Sequence, residues 1–308
     1  MTGFEITGAS AADMALFRAW ADDEGWNPGD SDRFAFAVAD PEGFLIGQVD
    51  GEPAACISAV RYGTGFGFIG FYIARPAFRG QGYGIRLWQA AMDRLDGRLV
   101  GLDGVVEQQD NYRKSGFLPA WNNIRYEGVP VPVPVPQGAG AGSGSGGGAG
   151  EDSGTGTGTT GAADGFDLVD AASLPFARLA AYDRRFFPEA RDAFLAAWTG
   201  LPGRTGLAAV RDGRIEGLGV IRPCSGAARI GPLYAATPAV AAALVRALAG
   251  RAPGGAVALD VPDAHPAAAA LMAQLGLAPT FETARMYTGP APEVDLTGLY
   301  GVTSLELG

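Results

Sequence analysis

A tract that can bury nothing splits this chain. Residues 129–165 read Val-Pro-Val-Pro-Val-Pro and then a long Gly/Ala/Ser/Thr run, with almost no bulky apolar side chain after Val135. Such a tract lacks the apolar surface that would offset the entropy of ordering it. Its proline part is expected to be a stiff extended spacer. Its glycine part is expected to be a coil with ends on the order of 30 Å apart, from ~5–6 Å times the square root of its length. Read as an interdomain linker without chemistry of its own, it leaves residues 1–128 and 166–308 as two domains, each long enough to bury a core.

The two halves share an element order. In the first, the apolar periodicity predicts a strand (4–7), two helices (11–21, 31–39) and strands at 44–49, 54–62 and 66–74. A glycine turn with its helix (84–95), a strand (99–102), a helix (107–115) and closing strands around 118–126 follow. Ser10 with Asp13 forms a capping pair for the first helix, and Asp50-Gly51 marks a hairpin. The second half repeats this: a strand (166–169), helices (174–187, 190–199), a hairpin split by Asp212-Gly213, then a strand (230–235) and a helix (239–248). A strand (256–261), a helix (266–274) and a strand (281–287) complete it. The fold class expected is α/β, an α+β mixed sheet, duplicated within one chain.

Between the strand-like run 66–74 and the helix-like run 85–95 lies Arg79-Gly80-Gln81-Gly82-Tyr83-Gly84. Glycine admits positive φ and close approach, so several amides beside a helix N-terminus can point at one pyrophosphate. A P-loop would need Gly-Lys-Ser/Thr, and a dinucleotide turn G-x-G-x-x-G with a later acid; neither is complete here. A glycine turn at a strand-helix joint can also be purely geometric. With Pro76 three residues before Arg79, the hexad resembles the R/Q-x-x-G-x-G/A signature of the GNAT superfamily of acyl-CoA-dependent N-acetyltransferases. A second segment carries the same resemblance: Tyr112-Arg113-Lys114-Ser115-Gly116-Phe117 matches the Y-x-x-x-G-F of many members.

The resemblance implies an acetyl-CoA-dependent N-acetyltransferase that passes the acyl group directly to a primary amine, through a tetrahedral intermediate. It implies a pyrophosphate site on the amides of Arg79, Gly80, Gln81, Gly82, Tyr83 and Gly84. An oxyanion contact would come from an amide near Ile73 or Ala74 on a bulged fourth strand. Tyr112 would be the general acid for the leaving thiolate, although a tyrosine there can equally pack on the sheet. In the second half the joint reads Gly231-Pro232-Leu233-Tyr234-Ala235-Ala236-Thr237-Pro238, and Met272 stands four residues before Gly276. That half is therefore read as a pseudo-acetyltransferase domain, docked on the first, that shapes or stabilises it. Its segments Arg285-Met286-Tyr287 and Gly301-Val302-Thr303-Ser304 resemble a bacterial subgroup of tandem members.

One family feature is missing. From Arg61 to Arg75 there is no Asp or Glu, so the strand-four base many members use is absent. Asp103 and Glu24 are the candidate bases, each also readable as a solvated carboxylate. Trp26 and Tyr72 are candidate walls for a cationic acceptor, or core residues. The missing acid also keeps open a second reading, a non-catalytic acyl-CoA-binding or sensing protein.

Composition narrows the rest. A net charge of −10 argues against a nucleic-acid binder. No run approaches the ~20 apolar residues of a membrane span, and no signal peptide is visible, so a cytoplasmic address is expected. Cys56 and Cys224 offer no disulfide framework, and the single His265, before Pro266 at a helix start, reads as structural; no metal site is expected. Lys114 is the only lysine, and the Arg-, Ala- and Gly-rich usage is of the kind associated with high-GC bacterial genomes.

Overall fold

The computed structural model describes residues 3–10, 12–132 and 165–308; most of the expected linker, 133–164, lies outside the described residues. The first half runs β1 (Phe4–Gly8), α1 (Asp13–Asp23), α2 (Asp32–Ala39), β2 (Phe44–Val49), β3 (Glu52–Tyr62) and β4 (Phe66–Ala74). It continues with α3 (Tyr83–Arg94), β5 (Leu99–Val105), α4 (Gln109–Lys114) and β6 (Leu118–Gly128). The second runs β7 (Asp167–Asp170), α5 (Phe176–Asp183), α6 (Asp192–Gly200), β8 (Thr205–Arg211), β9 (Arg214–Arg222) and β10 (Ala228–Ala235). Then come α7 (Pro238–Ala249), β11 (Val257–Pro262), α8 (Pro266–Gln274), β12 (Ala278–Tyr287) and β13 (Leu299–Gly301).

Local chemistry explains the turns. Asp50 and Gly51 sit at φ 49° and 85°, and Asp212 and Gly213 at 48° and 73°. Positive φ at both central residues is what a two-residue hairpin loop demands. Ser10 and Asp13 cap α1 reciprocally, the Ser10 amide donating to the Asp13 carboxylate at 2.8 Å and the Asp13 amide to the Ser10 hydroxyl at 3.2 Å. His265 holds the carbonyl of Leu299 at 3.2 Å and stacks edge-on against Tyr300, a structural role.

The two halves do more than dock. One sheet runs through both in the order β1-β2-β3-β4-β5-β12-β6-β11-β10-β9-β8-β7, with β13 on β10. β12 of the second half enters between β5 and β6 of the first, and β6 lies between β12 and β11. Each half thus completes its sheet with the other's last long strand. One apolar cluster is shared across the exchange, holding Phe17, Phe36 and Phe71 together with Phe194, Trp198 and Leu307, while another has all its buried residues in the second half, from Phe166 to Tyr300.

The exchange places opposite charges face to face. On β6 and β11, Arg125 pairs with Asp260, its Nε donating to Oδ1 at 2.8 Å, and Arg229 bonds the other oxygen. On β12 and β5, Arg285 pairs with Asp103. Asp32 at the start of α2 receives Arg204 at 2.7 Å and Arg222 at 3.0 Å. Burial alone would raise the Asp260 carboxyl, but Arg125 and Arg229 outweigh it and hold it at about 2. A carboxylate depressed in the fold contributes stability that is present above its unfolded pKa of ~3.9 and lost as pH falls through its folded value. The melting temperature is therefore expected to drop between about pH 4 and pH 2. A melting series on Asp260→Asn should show a flatter acid limb, and an unchanged limb would contradict this assignment.

Candidate active site

β4 and β5 run parallel from Phe66↔Leu99 to Ile69↔Leu102 and then part. Beyond that point β4 bulges: Cys56 and Ser58 of β3 face Ile73 and Gly70, so β4 carries one extra residue, and Phe71 takes φ 48°. The gap between the parted strands is a cavity of about 310 Å³. Glu24, Trp26, Tyr72, Ile73, Ala74, Arg79, Asp103 and Tyr112, all singled out from sequence, line it.

The strand pattern says which amide is free. The Arg75 amide donates to Ala54 on β3, so Ile73, two residues earlier, also directs its amide at β3. Ala74 faces the open side, where its carbonyl accepts from Arg79 Nε at 2.7 Å. Of the two amides expected near the oxyanion, only that of Ala74 is turned toward the cavity side.

After β4 the chain makes a short helical turn (Pro76–Phe78) and reaches α3 through Gly80 at φ 73° and Gly82 at φ 81°. A Cβ at either glycine would meet nothing, so these positions are glycine for their dihedrals, not for want of room. The first amides of α3 have no acceptor within the helix, and the helix dipole adds positive potential there. Gly84 serves closeness instead: a Cβ there would stand 3.0 Å from the Tyr72 hydroxyl. The Arg79 guanidinium is ion-paired to Glu24 across the cavity wall, Gln81 donates to the Ala77 carbonyl at 2.9 Å, and Tyr83 stacks on Phe4.

Tyr112 is held from three sides. α4 ends in a Schellman arrangement, with Phe117 N donating to Tyr112 O and Gly116 N to Arg113 O, both at 3.0 Å. The ring lies 5.5 Å from Trp88 and presses on Gly104, where a Cβ would fall 2.3 Å from it. Burial, reinforced by Tyr72, pushes the phenol well above its ordinary pKa, so it keeps its proton at neutral pH. Gly104→Ala is expected to displace this ring, costing about 1–3 kcal/mol of stability and lowering turnover. Thermal melts with steady-state rates would check it; an unaltered rate would separate ring position from function.

Asp103 is not the solvated carboxylate that its place in the sequence suggested. It is fully buried, with its oxygens taken by Arg285 Nε at 2.7 Å and Nη2 at 2.6 Å, and Asn123 adding 2.8 Å. Burial raises it above the ordinary carboxylate value against the pull of Arg285. Asp103 is thus a fixed counter-ion, and Glu24 is bound to Arg79. The sequence reasoning missed four second-half contributors to the cavity: Phe281, Thr283, Leu305 and Glu306. The alternation Leu305-Glu306-Leu307, a charge between two leucines, was the available signal.

The second half has the same layout with its gap filled. β10 and β11 pair only at Ala228↔Val257 and Arg229↔Ala258, and β10 carries a matching bulge. There β13 lies on β10, and Val302 N donates to Asp260 O at 2.9 Å. Met272 stands where Tyr112 stands, with Leu277 N on Met272 O and Gly276 N on Ala273 O at 3.0 Å. At the start of α7 the Thr237 hydroxyl accepts from Val240 N at 3.3 Å, and Pro238 has no amide hydrogen.

Known proteins agree with this layout. A family model described as acetyltransferase (GNAT) family matches residues 12–117, and one described as acetyltransferase (GNAT) domain matches 179–301. The chain is 30% identical over 301 residues to the holothin acyltransferase of Pseudoalteromonas sp. (strain SANK 73390), covering 97% of this chain and 93% of that protein. A putative acetyltransferase from Pyrococcus horikoshii superposes with a TM-score of 0.76 at 20% identity, over 99% of this chain and 96% of that one. A tandem GNAT protein from the clavulanic acid biosynthesis pathway gives 0.57 at 15%, over 94% and 100%. At these identities the two structures speak to fold alone.

Proposed function

The chain belongs to the GNAT family of acyltransferases, and from that premise we propose that it moves an acetyl group from acetyl-CoA to the primary amine of a small molecule in the cytoplasm. The observation that carries this reading is convergence: the open edge of β4 at Ala74, Arg79 at the head of the glycine turn and the partly buried ring of Tyr112 all line one cavity, whereas residues 80–84 follow Arg79 outside its lining. In the proposed complex the donor's pyrophosphate lies on the amides of residues 79–84, and its thioester supplies the activated acyl group. The Ala74 amide is placed for the carbonyl oxygen, and Tyr112 holds the proton that the thiolate sulfur needs.

A small acceptor is favoured over a peptide because second-half residues, Phe281, Thr283, Leu305 and Glu306, wall the cavity alongside those of the first half. Trp26, Phe71 and Phe281 give it flat apolar walls. The Pseudoalteromonas relative is named as an acyltransferase of holothin, which makes holothin the first acceptor to try. The test is release of free CoA thiol on mixing the protein with acetyl-CoA and holothin, benzylamine or tyramine, with the amide identified by mass. Amide formation is expected with at least one. Acetyl-CoA binding without any amide product would favour the sensing reading instead.

A further inference from the structure

A buried carboxylate from the segment that follows β13 lines the cavity beside β4. After β13 the segment 302–308 is buried throughout and threads from the filled gap of the second half into the open gap of the first. It is anchored from both halves: Tyr62 Oη donates to Leu307 O at 3.0 Å, and Arg191 donates through Nη1 to Gly308 O at 2.9 Å and through Nη2 to Thr303 Oγ1 at 2.8 Å. Its backbone lies directly on the β4 bulge. A Cβ on Gly70 would stand 2.1 Å from the Glu306 carbonyl oxygen, so Gly70 is glycine to let this segment pass.

Glu306 is 3% exposed and lines the cavity. Its Oε1 lies 3.6 Å from Arg229 Nη1, an arginine already engaged by Asp260, and its Oε2 is buried with no hydrogen-bond partner. Thr283 on β12, 2% exposed, lines the same cavity, and its hydroxyl is also buried without a partner. Leaving a buried carboxylate oxygen and a buried hydroxyl unmet is costly, and two such groups on one cavity describe a site for a donor that is not part of the chain. A primary ammonium fits, with three N–H donors for acceptors and an aromatic wall for its charge.

Resting on the transferase reading above, we propose that Glu306 is the general base of the reaction: it takes a proton from the acceptor's ammonium group, which Thr283 helps to hold. An N–H bond breaks, the proton goes to Glu306 Oε2, and the electron pair left on nitrogen attacks the thioester carbon. The C–S bond then breaks with its pair on sulfur, and sulfur takes the Tyr112 proton. The second nitrogen proton returns to the phenolate through solvent, and Glu306 releases its own to water. The second half therefore contributes a catalytic group to the first half's site. The charged neighbour of Glu306 is Arg229, which shares Asp260 with Arg125, and Asp103 on the same cavity is held by Arg285. Glu24 is paired to Arg79, and the phenols of Tyr72 and Tyr112 also line the cavity.

The test compares the intact wild-type protein with Glu306→Gln, using whichever of holothin, benzylamine and tyramine wild type acetylates. Rates are taken between about pH 5 and 9, and acetyl-CoA is titrated calorimetrically into each protein. Loss of about 10²-fold or more in kcat is expected for Glu306→Gln, with the acid limb of the pH profile gone and acetyl-CoA affinity unchanged. Formate is expected to restore turnover to Glu306→Ala, which a merely structural role does not allow. Equal rates and an equal acid limb in wild type and Glu306→Gln would overturn the base while leaving the transferase reading intact. Absence of any amide product from wild type would overturn both. If Glu306→Gln does not fold, Glu306→Asp keeps the charge and withdraws it, and undiminished turnover there would overturn the assignment.

Discussion

Tyr112→Phe is expected to lower kcat by about 10²–10⁴-fold, the range for losing one positioned acid, while acetyl-CoA affinity stays the same. The reasoning is local. The ring keeps its contacts with Trp88 and Phe117 and its seat on Gly104 when only the hydroxyl is removed. Nothing in the glycine turn before α3 depends on that oxygen, so the loss should fall on the departure of the thiolate. Steady-state rates paired with a calorimetric titration separate the two quantities. Unchanged turnover would remove the role assigned to this phenol and leave it a packing residue.

Asp260→Ala is expected to be the most damaging change away from the reacting groups. It strands two buried arginines, Arg125 from the first half and Arg229 from the second. Removing one partner of a buried ionic cluster costs about 3–5 kcal/mol, because the remaining charge keeps its desolvation penalty. For a protein of this size that is a fall of on the order of 10 °C in melting temperature. The effect should reach the site, since Arg125 also donates to the Trp26 carbonyl at 3.0 Å and Arg229 is the ionic neighbour of Glu306. Differential scanning calorimetry at pH 7 checks it, and a shift of only a degree or two would mean the seam is held by apolar packing alone.

Features set by a few neighbouring residues were legible in the sequence. Gly80 and Gly82 needed positive φ, Asp50-Gly51 and Asp212-Gly213 closed hairpins, and Gly116 terminated the helix that carries Tyr112. Each conformation follows from short-range sterics, so a motif of six residues carries it. Met272 was legible for the same reason, because Gly276 repeats the Gly116 geometry.

Partnership was not legible. The alternation in 118–128 and 278–287 says strand, but nothing in it says that β6 lies beside β11 and β12 beside β5. Asp103 shows the consequence. Read alone it was a candidate base or a solvated acid; opposite Arg285 on the exchanged strand its carboxylate is buried and paired, not solvated. Glu306 was invisible for a related reason. Its value comes from Gly70, a residue far away in sequence that lets the segment lie on the bulge, and from a lack of partners that only coordinates reveal. No acid stands between Arg61 and Arg75, and the carboxylate proposed in its place lies in the half expected only to support.

The central claim is one composite acyl-CoA site per chain, built on the first half's glycine turn and closed by the second half. The most direct test is a calorimetric titration of acetyl-CoA into the intact protein and into Gly82→Val, in which a β-branched residue replaces a glycine at φ 81°. One site per chain, lost in Gly82→Val while the variant still melts cooperatively, is the predicted result. Two sites per chain, or binding undisturbed by Gly82→Val, would contradict it.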